Sequence, residues 1–178
     1  DSGYIARTTP AIDFFSVYDA GSRVLAGRDP FGVNSDHGAG FRAPYVATFR
    51  YLPITAYWLA APLNVLPPWP SYYVWIALNV VFIVANFFLC AGRNPTAILP
   101  LSVVWFAWFP VIAELHMGQF SLFMATLLLW GLDAICCGRK WGGLAWGFAV
   151  LLKVFPLAMA PSLFLWGKRK LTLAVLIA

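Results

Sequence analysis

"ELHMGQFSLFMATLLLWGL" (Glu114 to Leu132) sets an acid, a histidine and a glutamine directly ahead of a long apolar run. The run itself carries no charge before Asp133, so it must be buried in a core or in lipid. Composition decides between the two. The chain has 178 residues, 61% of them hydrophobic and only 11% charged, with 17% aromatic. Soluble domains carry about 25% charged residues. A soluble fold of this length cannot hide so much apolar surface, so lipid is expected to be its solvent. The fold expected is all-α, a polytopic membrane helical bundle.

Working outward from this run, apolar stretches at about 72–91, 97–113 and 120–136 each read as a membrane span. Between Tyr51 and Pro70, "YLPITAYWLAAPLNVLPPWP" is apolar but interrupted by Pro53 and Pro62, which suggests a re-entrant or interfacial segment at 51–70. "WGGLAWGFAVLLKVFPLAMAPSLFLW" (Trp141 to Trp166) reads either as one long helix or as a hairpin turning at Lys153–Pro156. Residues 1–50 hold five acids and five arginines, with the turn residues of a loop in "AGRDPFGVNSDHGAG". Within them, Ile12 to Gly27 has the spacing of a short amphipathic helix lying on the membrane surface, with Asp13 in its first turn and Gly27 near its C-cap. The opening "DSGYIARTTP" and the closing "LTLAVLIA" read as the edges of a fragment, with further apolar sequence expected on both sides.

Basic residues collect at Arg93, at Arg139 with Lys140, and at Lys168, Arg169 and Lys170. The hairpin reading of 141–166 puts all three groups on one side, which the positive-inside rule assigns to the cytoplasm. Glu114 to Gln119 and Lys153 then lie on the outer side, where the 1–50 loop joins them if 51–70 is re-entrant; if 51–70 crosses, the loop changes sides. Lys153 would sit below that surface, because an arm of about 11 residues rises only ~16 Å of a ~30 Å core. An ionisable group at that depth calls for a partner such as a phosphate; the bland alternative is a lysine that snorkels to the interface.

The net charge of +5 fits basic cytoplasmic loops. No Lys/Arg-rich face with interleaved aromatics accompanies it, so no nucleic-acid partner is expected. Cys90, Cys136 and Cys137 have no metal or redox spacing and read as packing residues. Most of the nine tryptophans, including Trp69, Trp141 and Trp166, fall near span ends as interfacial anchors.

Four elements carry a resemblance. "DFFSVYDAGSRVLAGRDPF" (Asp13 to Phe31), "FRYLPITAYWLAAPLNVLP" (Phe49 to Pro67), "GQFSLFMATLLLWGL" (Gly118 to Leu132) and "LLKVFPLAMAPSLFLWGKRK" (Leu151 to Lys170) resemble, in order, the signature elements of glycosyltransferase family 87. That family lies in the GT-C superfamily. Leu52 stands where the family usually has the first of two prolines. The resemblance implies a mannosyltransferase-like enzyme of the cytoplasmic (plasma) membrane, with its active site on the extracytoplasmic side. A polyprenyl-phosphate sugar would be the donor and a lipid-linked or glycan hydroxyl the acceptor.

Such a transfer needs one base for the acceptor proton and cations for the leaving phosphate, whereas a glycosidase needs two carboxyls. The family's first-loop aspartate maps onto Asp13, the expected catalytic base; its bland alternative is a helix N-cap. Lys153 is the expected phosphate ligand. Gln119, His116, Glu114, Tyr18 and Asp19 are candidate substrate contacts, set against ordinary interfacial, anchoring or solvated roles. Asp29 reads as a turn residue before Pro30, Asp36 and His37 as a solvated loop, and Arg42 and Arg50 as accessory cations. The carboxylates form no DxD pair, so neither a metal nor any other cofactor is expected. A transporter or lipid flippase, or a non-catalytic scaffold, are the alternatives from other classes.

Overall fold

The computed structural model describes residues 11–32, 48–92, 95–159, 161 and 165, and among them every regular element is helical. Two compact units divide the chain, residues 1–122 and 123–178.

In the first unit, α1 runs Ile12–Leu25, with Asp13 in its first turn and Gly27, at φ +67°, just past its end. Phe14 through Gly21 are all buried, and so is Arg23. The apolar stripe hid this environment because Ser16, Asp19, Ala20 and Arg23, on the opposite side, are buried as well. At Gly21 a Cβ would overlap the Ala60 carbonyl, so α1 abuts the next segment backbone to backbone.

That segment consists of α2 (Pro53–Thr55), a wide π turn (Ala56–Ala60) and α3 (Ala61–Leu63). Pro62 explains the π turn: a proline lacks the N–H for an α-helical bond and its ring crowds the carbonyl four residues back. Here the Ala61 N–H reaches Ala56 O instead. Asn64 ties the segment to α1, its Nδ2 donating to the Tyr18 and Ala60 carbonyls, both at 3.0 Å.

Prolines 67, 68 and 70 then start α4, Pro68–Ala91, at the one end of a helix that tolerates them. At 24 residues α4 is long and apolar enough to cross a membrane, as is the 20-residue run Ile98–Met117. The latter is not uniform. It comprises α5 (Ile98–Ser102), a π turn (Val103–Ala107) and α6 (Phe109–Met117). Trp108, extended at ψ 125°, breaks it two residues ahead of Pro110. Ile83 of α4, Val111 of α6 and Leu122 form a buried cluster that joins these helices. Their other faces present Val81, Phe88, Leu99 and Phe109 outward, as lipid solvation requires.

The second unit contains most of α7 (Ser121–Cys136), then α8 (Trp141–Leu152) and a 3₁₀ turn (Phe155–Met159). The two helices meet through small residues: a Cβ on Gly142 would stand 2.6 Å from the Gly131 carbonyl. Such contact is the usual way for helices to pack where lipid is the alternative neighbour. Trp146 Nε1 donates to Leu128 O across it at 3.0 Å. Helix α8 stops at Lys153, whose backbone is extended (φ −145°, ψ 132°), so 141–166 is not one continuous helix.

Candidate functional site

The first unit brings two of the predicted residues to one place. The Ala11 N–H donates to His116 O at 2.8 Å, which pins the start of α1 to the end of α6. Gly118 makes that approach possible. It has φ +66°, and a Cβ there would lie 2.7 Å from Phe14 Cβ and 3.2 Å from the Tyr72 ring. Trp75 Nε1 donates to Gly118 O at 3.2 Å, and its ring stacks on Phe120 with centroids 4.3 Å apart. The Gly118–Phe120 turn is therefore held from α4 while it receives α1.

Tyr51 closes the arrangement. Its ring meets Phe120 edge-on, centroids 5.8 Å apart, and leans on Phe49 at 5.8 Å. The Phe120 backbone hydrogen-bonds to the phenol oxygen. Burial pushes the Tyr51 hydroxyl well above its ordinary titration range, and the charges of Asp13 and Glu114 push it further the same way. A neutral phenol can serve as a hydrogen-bond donor.

Asp13 is the second residue of α1, half-buried, where the helix dipole favours an anion. It is not the N-cap: that position belongs to Ala11, in the left-handed region and without a side-chain cap. Glu114 is half-buried with its Oε2 shielded from solvent. His116 is exposed, and its backbone carbonyl receives the Ala11 N–H. Gln119 is engaged locally, Nε2 with Met117 Sδ at 3.6 Å and Oε1 accepting from Ser121 Oγ at 3.2 Å.

Two candidates have structural work. Asp19 accepts from Arg23 Nε at 2.9 Å in an ion pair whose side chains are 13% and 8% exposed. Tyr18 is buried, and its hydroxyl donates to Leu66 O at 2.8 Å. Asp29 accepts from the Phe31 N–H at 3.0 Å, as a turn residue does. Arg50 is exposed beside Tyr51. In the second unit Lys153 is half-buried where α8 gives way to the extended backbone. Asp36, His37, Arg42, Arg93 and Lys168 to Lys170 lie outside the described residues. Among the described residues no three His, Cys, Asp or Glu side chains gather as they would around a metal.

The family model for glycosyltransferase family 87 matches residues 49–178. The chain belongs to glycosyltransferase family 87. It is accordingly a membrane-associated glycosyltransferase that acts on a sugar donor and an acceptor. No curated protein and no solved structure matches it. The family match takes in Tyr51, Glu114, His116, Gln119 and Lys153, while Asp13, Tyr18 and Asp19 precede it. Sequence reasoning missed Tyr51, although it lies in the quoted Phe49 to Pro67 element. The Asp19–Arg23 pair was readable there too, since four residues is the helical ion-pair spacing.

Proposed function

We propose that this family 87 glycosyltransferase is of the GT-C type and moves a hexose, mannose being our assignment, from a polyprenyl-phosphate carrier to a hydroxyl of a lipid-linked or glycan acceptor. The observation that carries the reading is the Ala11–His116 bond, which brings the start of α1, with Asp13 in its first turn, to the end of α6, which carries Glu114. Carboxylates at that junction repel a phosphate and suit a hydroxyl, which supports reading it as the acceptor side of the reaction.

Asp13 is the base. The acceptor oxygen attacks the anomeric carbon, the bond from that carbon to the phosphate oxygen breaks, and the acceptor proton passes to the Asp13 carboxylate. The polyprenyl phosphate leaves as an anion and needs no acid. A single displacement inverts the anomeric centre. Lys153 is assigned to the donor phosphate as a point charge, on its place in the Lys-x-x-Pro element that ends at Pro156. We place the chemistry on the extracytoplasmic side of the cytoplasmic membrane, the side that suits a lipid-carried donor and basic inner loops.

Membranes holding the intact protein, supplied with radiolabelled polyprenyl-phosphate mannose, test this reading. Wild type should incorporate label and Asp13→Asn should lose nearly all of it. Undiminished incorporation by Asp13→Asn removes the base. A wild type that only moves the lipid across the bilayer, with no sugar transferred, makes the protein a flippase.

A further inference from the structure

Tryptophans in a membrane protein usually face its interfaces as anchors. Trp75 of α4 does not: it is turned inward and only 3% exposed. Its ring stacks on Phe120, itself 1% exposed, and its Nε1 donates to Gly118 O at 3.2 Å. Stacking alone would be served by any aromatic side chain, so the N–H is the group that calls for a role.

The turn it holds closes the end of α6. There the Gly118 N–H donates to Leu115 O at 3.2 Å and the Gln119 N–H to Glu114 O at 3.1 Å, the paired bonds of a Schellman cap. Those bonds satisfy two of the carbonyls that a helix end leaves open. His116 O takes the Ala11 N–H at 2.8 Å, and Gly118 O takes the Trp75 N–H. One short turn thus joins the residue that precedes α1 to α4, and Asp13 follows Ala11 by two positions. Because α4 is long and apolar enough to cross a membrane, a bond to it fixes the height of that turn against the bilayer. We infer that Trp75 is a positioning residue for sugar transfer: its indole N–H anchors the Gly118–Phe120 turn to α4 and so sets where α1 presents Asp13 to the acceptor. The inference rests on the reading of Asp13 as base. It gives Trp75 no contact with donor or acceptor, so its loss should slow turnover and leave donor recognition alone.

Trp75→Phe keeps a ring against Phe120 and removes the N–H. Trp146→Phe is its matched control: Trp146 is 2% exposed, and its Nε1 makes the same kind of bond, to Leu128 O at 3.0 Å, within the second unit. Both are compared with wild type, Asp13→Asn and Asp13→Asn/Trp75→Phe, as intact protein in membranes with polyprenyl-phosphate mannose. A base misplaced by about an ångström loses up to about a hundredfold in rate. Trp75→Phe should therefore lower kcat per folded molecule about ten- to hundredfold, with the donor KM within about twofold. Trp146→Phe should keep kcat within about twofold, although both substitutions lower the thermal midpoint. Because Trp75 acts through Asp13, adding Trp75→Phe to Asp13→Asn should cost nothing further. Should Trp75→Phe not fold, substitution of Trp75 by benzothienylalanine, which keeps the bicyclic ring and has sulfur for the N–H, should show the same loss. An unchanged kcat, an equal loss in Trp146→Phe, a rise in donor KM that accounts for the loss, or full additivity in the double variant overturns the assignment. If Asp13→Asn is inactive while Trp75→Phe is fully active, only the role of Trp75 falls. An active Asp13→Asn removes the base, and this inference with it.

Discussion

Replacing Gly118 by alanine strikes the point on which the site is built. The residue sits at φ +66°, where a Cβ costs roughly 1–2 kcal/mol against the following carbonyl. The new methyl would also stand 2.7 Å from Phe14 Cβ and 3.2 Å from the Tyr72 ring. Phe14 is 0% exposed and lies tilted against Tyr72 with centroids 5.4 Å apart, so it has no room to retreat. Overpacking of that kind costs about 1–3 kcal/mol. The two effects sum to about 2–5 kcal/mol, a fall in thermal midpoint on the order of 5–15 °C for a chain of this size. Gly138 supplies the control: it has φ +72°, and a Cβ there would meet nothing within 4 Å, so Gly138→Ala bears the backbone cost alone. Thermal unfolding of the two variants in detergent, beside sugar transfer per folded molecule, separates the effects. Relief of the Gly118 clash pushes α1 away from α6, strains the Ala11–His116 bond and shifts Asp13, so transfer should fall beyond the loss of folded protein. If Gly118→Ala is no less stable than Gly138→Ala, the close approach of α1 to this turn is wrong.

Two further substitutions separate structure from chemistry. Asp19→Ala strands the buried Arg23 guanidinium and should cost about 3–5 kcal/mol in a denaturation series, with Asp19→Ala/Arg23→Met recovering part of it and transfer per folded molecule preserved. Lys153→Ala should raise the donor KM at least tenfold in initial-rate assays while leaving stability within about 1 kcal/mol; an unchanged KM removes its assignment to the phosphate.

Much of this fold was written in local pattern. The uncharged run after Gln119 became α7 at Ser121–Cys136, and the break at Lys153 fell where Pro156 makes a continuous helix costly. Helix α1 was legible in extent, but the breadth of its burial was not. Its stripe of Phe14, Val17 and Tyr18 suggested one buried face, whereas Asp19, on the other side, goes inside neutralised by Arg23. Periodicity reports which residues are apolar and says nothing of polar residues that bury as pairs. The site itself was only half legible. Asp13 was named from the family resemblance and Glu114 from its type, but the approach of their two helices depends on the Ala11–His116 bond and the left-handed Gly118, contacts through space that no spacing encodes.

Single-turnover transfer at matched donor occupancy addresses Asp13 most directly. With wild type and Asp13→Asn each loaded with polyprenyl-phosphate mannose, a base that acts only on the acceptor proton predicts equal donor binding and a transfer rate lower by about 10²–10⁴-fold in the variant. Transfer within a few-fold of wild type, at equal occupancy, would contradict it.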